Sequence, residues 1–187
     1  DDEIKESRAY VYTFVTADGE EGPPSPPSAV FDLYPTSQTV NISSMVTAED
    51  ASYNVTHKYI YRTVTSTAGT SYMFVSSVVL SAATYSDSLT SLQLGGVLPS
   101  TDWVAPPEAM IGLTSLSNGI LAGFKDNEVM FCEPFMPHAW PTKYRMSTDY
   151  PIVGIKAVGS SLIITTKAYP YVAQGAHPSS MTLSRMR

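Results

Sequence analysis

Chemistry in this chain would have to come from a small set of residues. The three histidines, His57, His138 and His177, are far apart and show no ligand spacing of the H-x-x-x-H kind. Cys132 is the single cysteine, so no internal disulfide forms and a structural zinc site lacks its usual ligand set. It sits in Glu128-Val129-Met130-Phe131-Cys132-Glu133, where strand alternation turns it to one face as a small buried hydrophobe rather than a nucleophile. Glu128, Glu133 and Asp149 offer carboxylates for glycoside hydrolysis, but any chain with 17 acidic residues offers such pairs, and their separation in space decides. Asp87 with Asp32 or Asp50 lacks the spacing of a calcium loop. No G-x-S-x-G elbow, P-loop or G-x-G-x-x-G is present. The residues therefore imply no enzyme, no cofactor and no metal.

One short motif stands apart, His138-Ala139-Trp140-Pro141. An indole between a histidine and a proline has a flat face that can stack on a sugar ring or a base. The competing reading is a loop pinned into the core by the indole and stiffened by Pro137 and Pro141, and large aromatics in proline-rich loops favour that plug. His138 and Trp140 are the candidate ligand or partner contacts. Asn41-Ile42-Ser43 and Asn54-Val55-Thr56 match the glycosylation sequon, which chance explains in a chain so rich in serine and threonine.

The elements that must carry these residues are strands. Hydrophobic residues make up 43% of the chain and charged ones only 15%, which excludes a disordered segment. Serine, threonine, tyrosine and valine are abundant, as pleated, half-buried surfaces require. The net charge is −6 with no dense basic block, which excludes the usual footprint of a free-standing nucleic-acid binder. Acidic residues gather at Asp1, Asp2, Glu3 and Glu6 and at Asp18, Glu20 and Glu21, as solvated faces. No apolar run approaches the roughly 20 residues of a membrane helix, and no signal peptide opens the chain. An acidic start without methionine points to an excised fragment or a processed product.

In the first half, strands are expected over residues 10–16, 39–43, 58–64, 72–80 and 84–88, with turns at 17–22 and 67–70. The run Pro23-Pro24-Ser25-Pro26-Pro27 suits an edge segment or extended linker. In the second half, 92–107 is an irregular connector. Strands are then expected over 110–114, 120–124, 128–132, 152–158, 161–166 and 168–174, with tight turns at Asn118-Gly119, Lys125-Asp126-Asn127 and Gly159-Ser160. The chain is thus all-β: strands over 1–98, then a meander of short strands in two groups over 99–187. Meanders of this kind build propeller blades, which cover their apolar faces by packing on neighbours. Two groups cannot close a propeller.

Tyr10-Val11-Tyr12-Thr13-Phe14-Val15-Thr16, the turn Ala17 to Gly22 and Pro23-Pro24-Ser25 resemble the last hairpin of a fibronectin type III-like sandwich. Tyr59-Ile60-Tyr61-Arg62-Thr63, Tyr72-Met73-Phe74-Val75 and Tyr85-Ser86-Asp87 look like the middle of a second such module. That likeness implies a chain that begins inside one repeat and continues into the next.

Over residues 110–180 a second resemblance is carried by Asn118 to Gly123, Val129 to Pro134, Pro137-His138-Ala139-Trp140-Pro141, Tyr144, Asp149 to Ile155 and Leu162 to Tyr171. This order is similar to nozzle-type or tail-tubular virion proteins of tailed phages; Cys132 stands where serine would be more usual. The resemblance implies a β-propeller-like fold and a structural role in the tail or head-to-tail assembly of a virion. It also implies a homo-oligomer, contacts with other tail proteins, and DNA passing through a channel without tight binding, with no membrane. The alternative from another class is a carbohydrate-binding or adhesive β module, with Trp140 or Trp103 presented to glycans.

Overall fold

The computed structural model describes residues 5–34, 39–67 and 69–186. The first three acidic residues and Ala68 of the expected 67–70 turn lie outside them. The described residues hold sixteen strands in small antiparallel sheets and no α-helix. The chain divides into two compact units, Asp1–Thr101 and Asp102–Arg187.

The first unit contains β1 (Glu6–Arg8), β2 (Tyr10–Thr16), β3 (Glu21–Pro24), β4 (Phe31–Leu33), β5 (Val40–Ile42), β6 (Val55–Ser66), β7 (Gly69–Val79) and β8 (Tyr85–Asp87). Its main sheet has the order β3-β2-β6-β7; β5 pairs with β8 and β1 with β4. The proline-bearing β3 occupies an edge, where a missing N–H breaks no ladder. β2 lies beside β6, with Tyr10 opposite Arg62 and Tyr12 opposite Ile60. The stretches expected in two successive repeats are therefore neighbours in one sheet, because the aromatic and β-branched alternation of both fits a single pair of faces.

One face of that sheet buries Tyr10, Ile60 and Val75 with Met45, against Phe31, Val40, Ile42, Tyr85, Leu89 and Leu94. The other buries Val11 and Tyr61 under Leu98, with Phe74 edge-on to Tyr59 and Tyr61 at 5.4 and 5.6 Å. Strand alternation carries Lys58 and Arg62 to the same side as Ile60, so two cations enter the first core.

The second unit is two four-stranded meanders. The first comprises β9 (Ile111–Ser115), β10 (Leu121–Lys125), β11 (Glu128–Phe131) and β12 (Met146–Ser147). The second comprises β13 (Ile152–Val158), β14 (Ser161–Thr166), β15 (Tyr171–Gln174) and β16 (Thr182–Arg185). Ala122, Phe124, Val129 and Phe131 of the first pack on Ile152, Leu162, Ile164, Tyr171 and Ala173 of the second, and this shared layer is the core of the unit. Turn chemistry sets the register. Gly159 at φ +61° starts the two-residue link between Val158 and Ser161, and Gly112 at φ +69° forms, with Leu113, a bulge opposite Gly123.

Candidate functional site

Trp140 belongs to a loop that folds on itself. Glu133 N–H donates to Ala139 O (2.8 Å), Ala139 N–H to Met136 O (3.0 Å), and Trp140 N–H to Val104 O (2.9 Å). Its indole N–H donates to Pro137 O at 2.8 Å, so the ring's one polar atom is satisfied within its own turn. The ring is 2% exposed and packs with Met130, Cys132, Met110 and Leu121. These residues line the face of the first meander that points away from the shared core. Trp140 therefore acts as a plug, and its faces are spent in packing. His138, half-buried, stands edge-on to Trp103 at 5.6 Å rather than against Trp140.

The Cys132 thiol is buried beneath that plug and accepts the Leu121 N–H at 3.0 Å. Burial pushes its pKa up, which opposes thiolate formation. The three carboxylates weighed for hydrolysis go to separate partners. Glu128 faces Arg145 at 3.8 Å, Glu133 faces His177 at 3.5 Å, and Asp149 accepts the Tyr171 hydroxyl at 2.5 Å. Asp32 pairs with Lys5 at 2.8 Å, and Asp50 accepts the Ser52 N–H, so neither joins Asp87. Among the described residues no group of three or more His, Cys, Asp and Glu could hold a metal ion. A shallow cavity of about 480 Å³ lies over Val104, Pro107 and Met130, with Lys125, Glu128 and Arg145 on its rim.

Composition gave no sign of the polar cluster in the first unit. Asp87, fully buried, accepts from Arg62 Nη1 and Tyr10 OH at 2.6 Å each, with Arg8 Nη1 at 3.9 Å. Arg8 in turn meets Glu6 at 2.6 Å. Burial and then the Asp87 carboxylate raise the Tyr10 hydroxyl to about 12, so it stays a donor. Lys58, also fully buried, donates to Val46 O and Ala82 O, and burial pulls its pKa down. The cluster ties β1, β2, β6 and β8 together. Asp87, Arg62 and Arg8 are shut away from solvent, with only Glu6 at the edge partly exposed, and the cluster's chemistry is structural.

What remains accessible is a sheet face. The first meander is covered on both sides, by the shared core and by the Trp140 plug. The second is covered on one. Its other face carries the cross-strand row Lys156, Ile163, Val172 and Ser184 and the row Val158, Ser161, Gln174 and Thr182. Val158 is 61% exposed, and Ile163 and Val172 are half-buried. The signal for this face was present in the run Leu162-Ile163-Ile164, which puts apolar residues on both sides of one strand, as strands covered on both faces do. The fold and this surface define an all-β protein whose accessible feature is an uncovered sheet face. Compared with known proteins, the chain matches no family model and no curated protein.

Proposed function

We propose that the chain is a structural assembly module of a tailed-phage virion, part of the tail or head-to-tail (nozzle or tubular) assembly, and not an enzyme. The observation that carries this reading is the unequal covering of the two stacked meanders, closed by Trp140 on one side and open along Val158, Ile163 and Val172 on the other. Blades of a propeller have this arrangement, each burying one face on its neighbour and offering the other to the next. In this reading the first unit is a fibronectin type III-like sandwich whose strands follow a permuted order, its closing hairpin β2–β3 preceding the strands it joins. The resemblance over residues 110–180 to nozzle-type proteins supplies the virion setting and, with it, contacts to other tail proteins and a channel for DNA.

The adhesive alternative loses its main stacking surface, since a glycan would have to displace Met110 and Leu121 to reach the Trp140 ring. Light scattering after size exclusion, with electron micrographs of the same peak, tests the proposal. Rings or one defined multimer are expected; a clean monomer together with sugar-dependent tryptophan fluorescence would replace assembly with glycan binding.

A further inference from the structure

Charge is divided unevenly along this chain. Residues 1–101 hold eleven carboxylates against four cations, and of those cations Arg8, Lys58 and Arg62 are buried. From Tyr150 onward there is no Asp or Glu, while Lys156, Lys167 and Arg185 are all exposed. The open face of the second meander is therefore an apolar stripe beside a lysine, with no carboxylate among its residues.

The first unit presents the complementary surface at one end of its main sheet. The β2–β3 turn lies against the 50–54 segment, with Ala17 N–H donating to Asn54 O at 3.0 Å and Thr16 opposite Val55. That end brings together exposed Asp18, Glu20, Glu49 and Asp50, with Tyr53 projecting at 65% exposure. Asp18, Glu20 and Glu49 have no cationic partner among the described residues, and neither Lys156 nor Lys167 has an anionic one.

We propose that the open Lys156–Val158–Ile163–Val172 face of one molecule docks the acidic, Tyr53-bearing end of a second copy. The inference rests on the assembly reading above and names its contact. Two different patches meet, so the contact is heterologous: it propagates head to tail and closes into a ring where the rotation allows. Tyr53 supplies an aromatic anchor for the stripe, and the surrounding charges set orientation and encounter rate.

The experiment is sedimentation velocity of the full chain at low and high salt, with two double variants that alter only exposed side chains. One is Lys156→Glu with Val158→Asp; the other is Asp18→Lys with Glu20→Lys. Circular dichroism and tryptophan fluorescence check that each variant is folded. Wild type should assemble at low salt and dissociate as the screening length falls from about 10 Å at 0.1 M to about 3 Å at 1 M. Each variant alone should lose self-association by on the order of tenfold or more. Mixed in equal amounts, the two should associate with each other, since the intact face of one meets the intact acidic end of the other and the reversed charges on the two altered surfaces also attract.

Variants that keep the wild-type mass would overturn this contact and leave the assembly reading in place. A wild-type chain that stays monomeric at low salt would overturn both. A Lys156→Glu/Val158→Asp variant that loses only retention of duplex DNA, with unchanged mass, would make the face a polyanion site and overturn the docking proposal.

Discussion

At the scale of single residues, the most consequential groups are buried ones. Asp87 is the counter-charge of a fully buried Arg62, whose Nε and Nη2 have no acceptor among the described residues. Asp87→Ala leaves that guanidinium and the nearby Arg8 without their shared carboxylate, and removing one partner of a buried pair costs about 3–5 kcal/mol. Replacing the set together, Arg62→Met with Asp87→Leu and Tyr10→Phe, should recover most of that loss, because the pair's own desolvation cost disappears with it. Urea titrations followed by far-ultraviolet circular dichroism read the difference. Equal destabilisation by the single and the triple variant would remove the uncompensated charge as its cause. Trp140 makes the parallel case in the second unit. Trp140→Ala deletes the plug, at about 3–5 kcal/mol, and opens a path to Cys132. A thiol reagent that leaves the folded wild type unmodified should label the folded variant, and a variant as inert as wild type would mean that something other than the indole covers the thiol.

At the scale of elements, two glycines separate backbone strain from crowding. Gly159 and Gly112 both sit at positive φ, but a Cβ at Gly159 would meet open space while one at Gly112 would lie 2.4 Å from the ring of buried Phe124. Gly159→Ala should cost only the left-handed penalty of roughly 1–2 kcal/mol. Gly112→Ala should add an overpacking cost of about 1–3 kcal/mol. Tryptophan fluorescence in urea measures both within the second unit, which holds both tryptophans. Equal costs would show that Phe124 yields.

The same elements explain what the sequence conveyed. β2, β13 and β14 coincide with their expected spans, since period-2 alternation bounded by glycine turns has one solution. β1, β4, β12 and β16, two to four residues each, escaped because no alternating run of aromatic and β-branched residues marks them, and tertiary pairing defines them. The plug role of Trp140 was legible from its prolines. The Arg62–Asp87 cluster was not, because alternation places Arg62 on the face of Ile60 without saying which face is covered. The open face was half legible: Leu162-Ile163-Ile164 marks two apolar sides, but which side another sheet already covers is settled only by packing.

At the scale of the whole molecule, charge decides how the chain meets DNA. Binding to duplex is driven by counterion release, with log K falling by about 0.9 per phosphate neutralised for each decade of salt. Among the described residues the exposed cations without a carboxylate partner are few, Lys125, Lys156, Lys167 and Arg185, and the guanidinium of Arg185 is already 3.5 Å from the Tyr169 ring centre. Against them stands a chain of net charge −6, whose first unit repels phosphate at range. Head-to-tail docking would cover the Lys156 face with carboxylates and withdraw it from any DNA in a channel. The expected outcome is therefore binding weaker than about 10⁻⁴ M at physiological salt, below the usual range for non-specific DNA binders. Anisotropy of a labelled duplex, titrated at two salt concentrations, measures it. A shallow salt slope, or none, fits a surface past which DNA slides. A tight complex with a steep slope would mean that a concentrated basic surface forms on assembly, and the chain would then grip DNA instead of letting it pass.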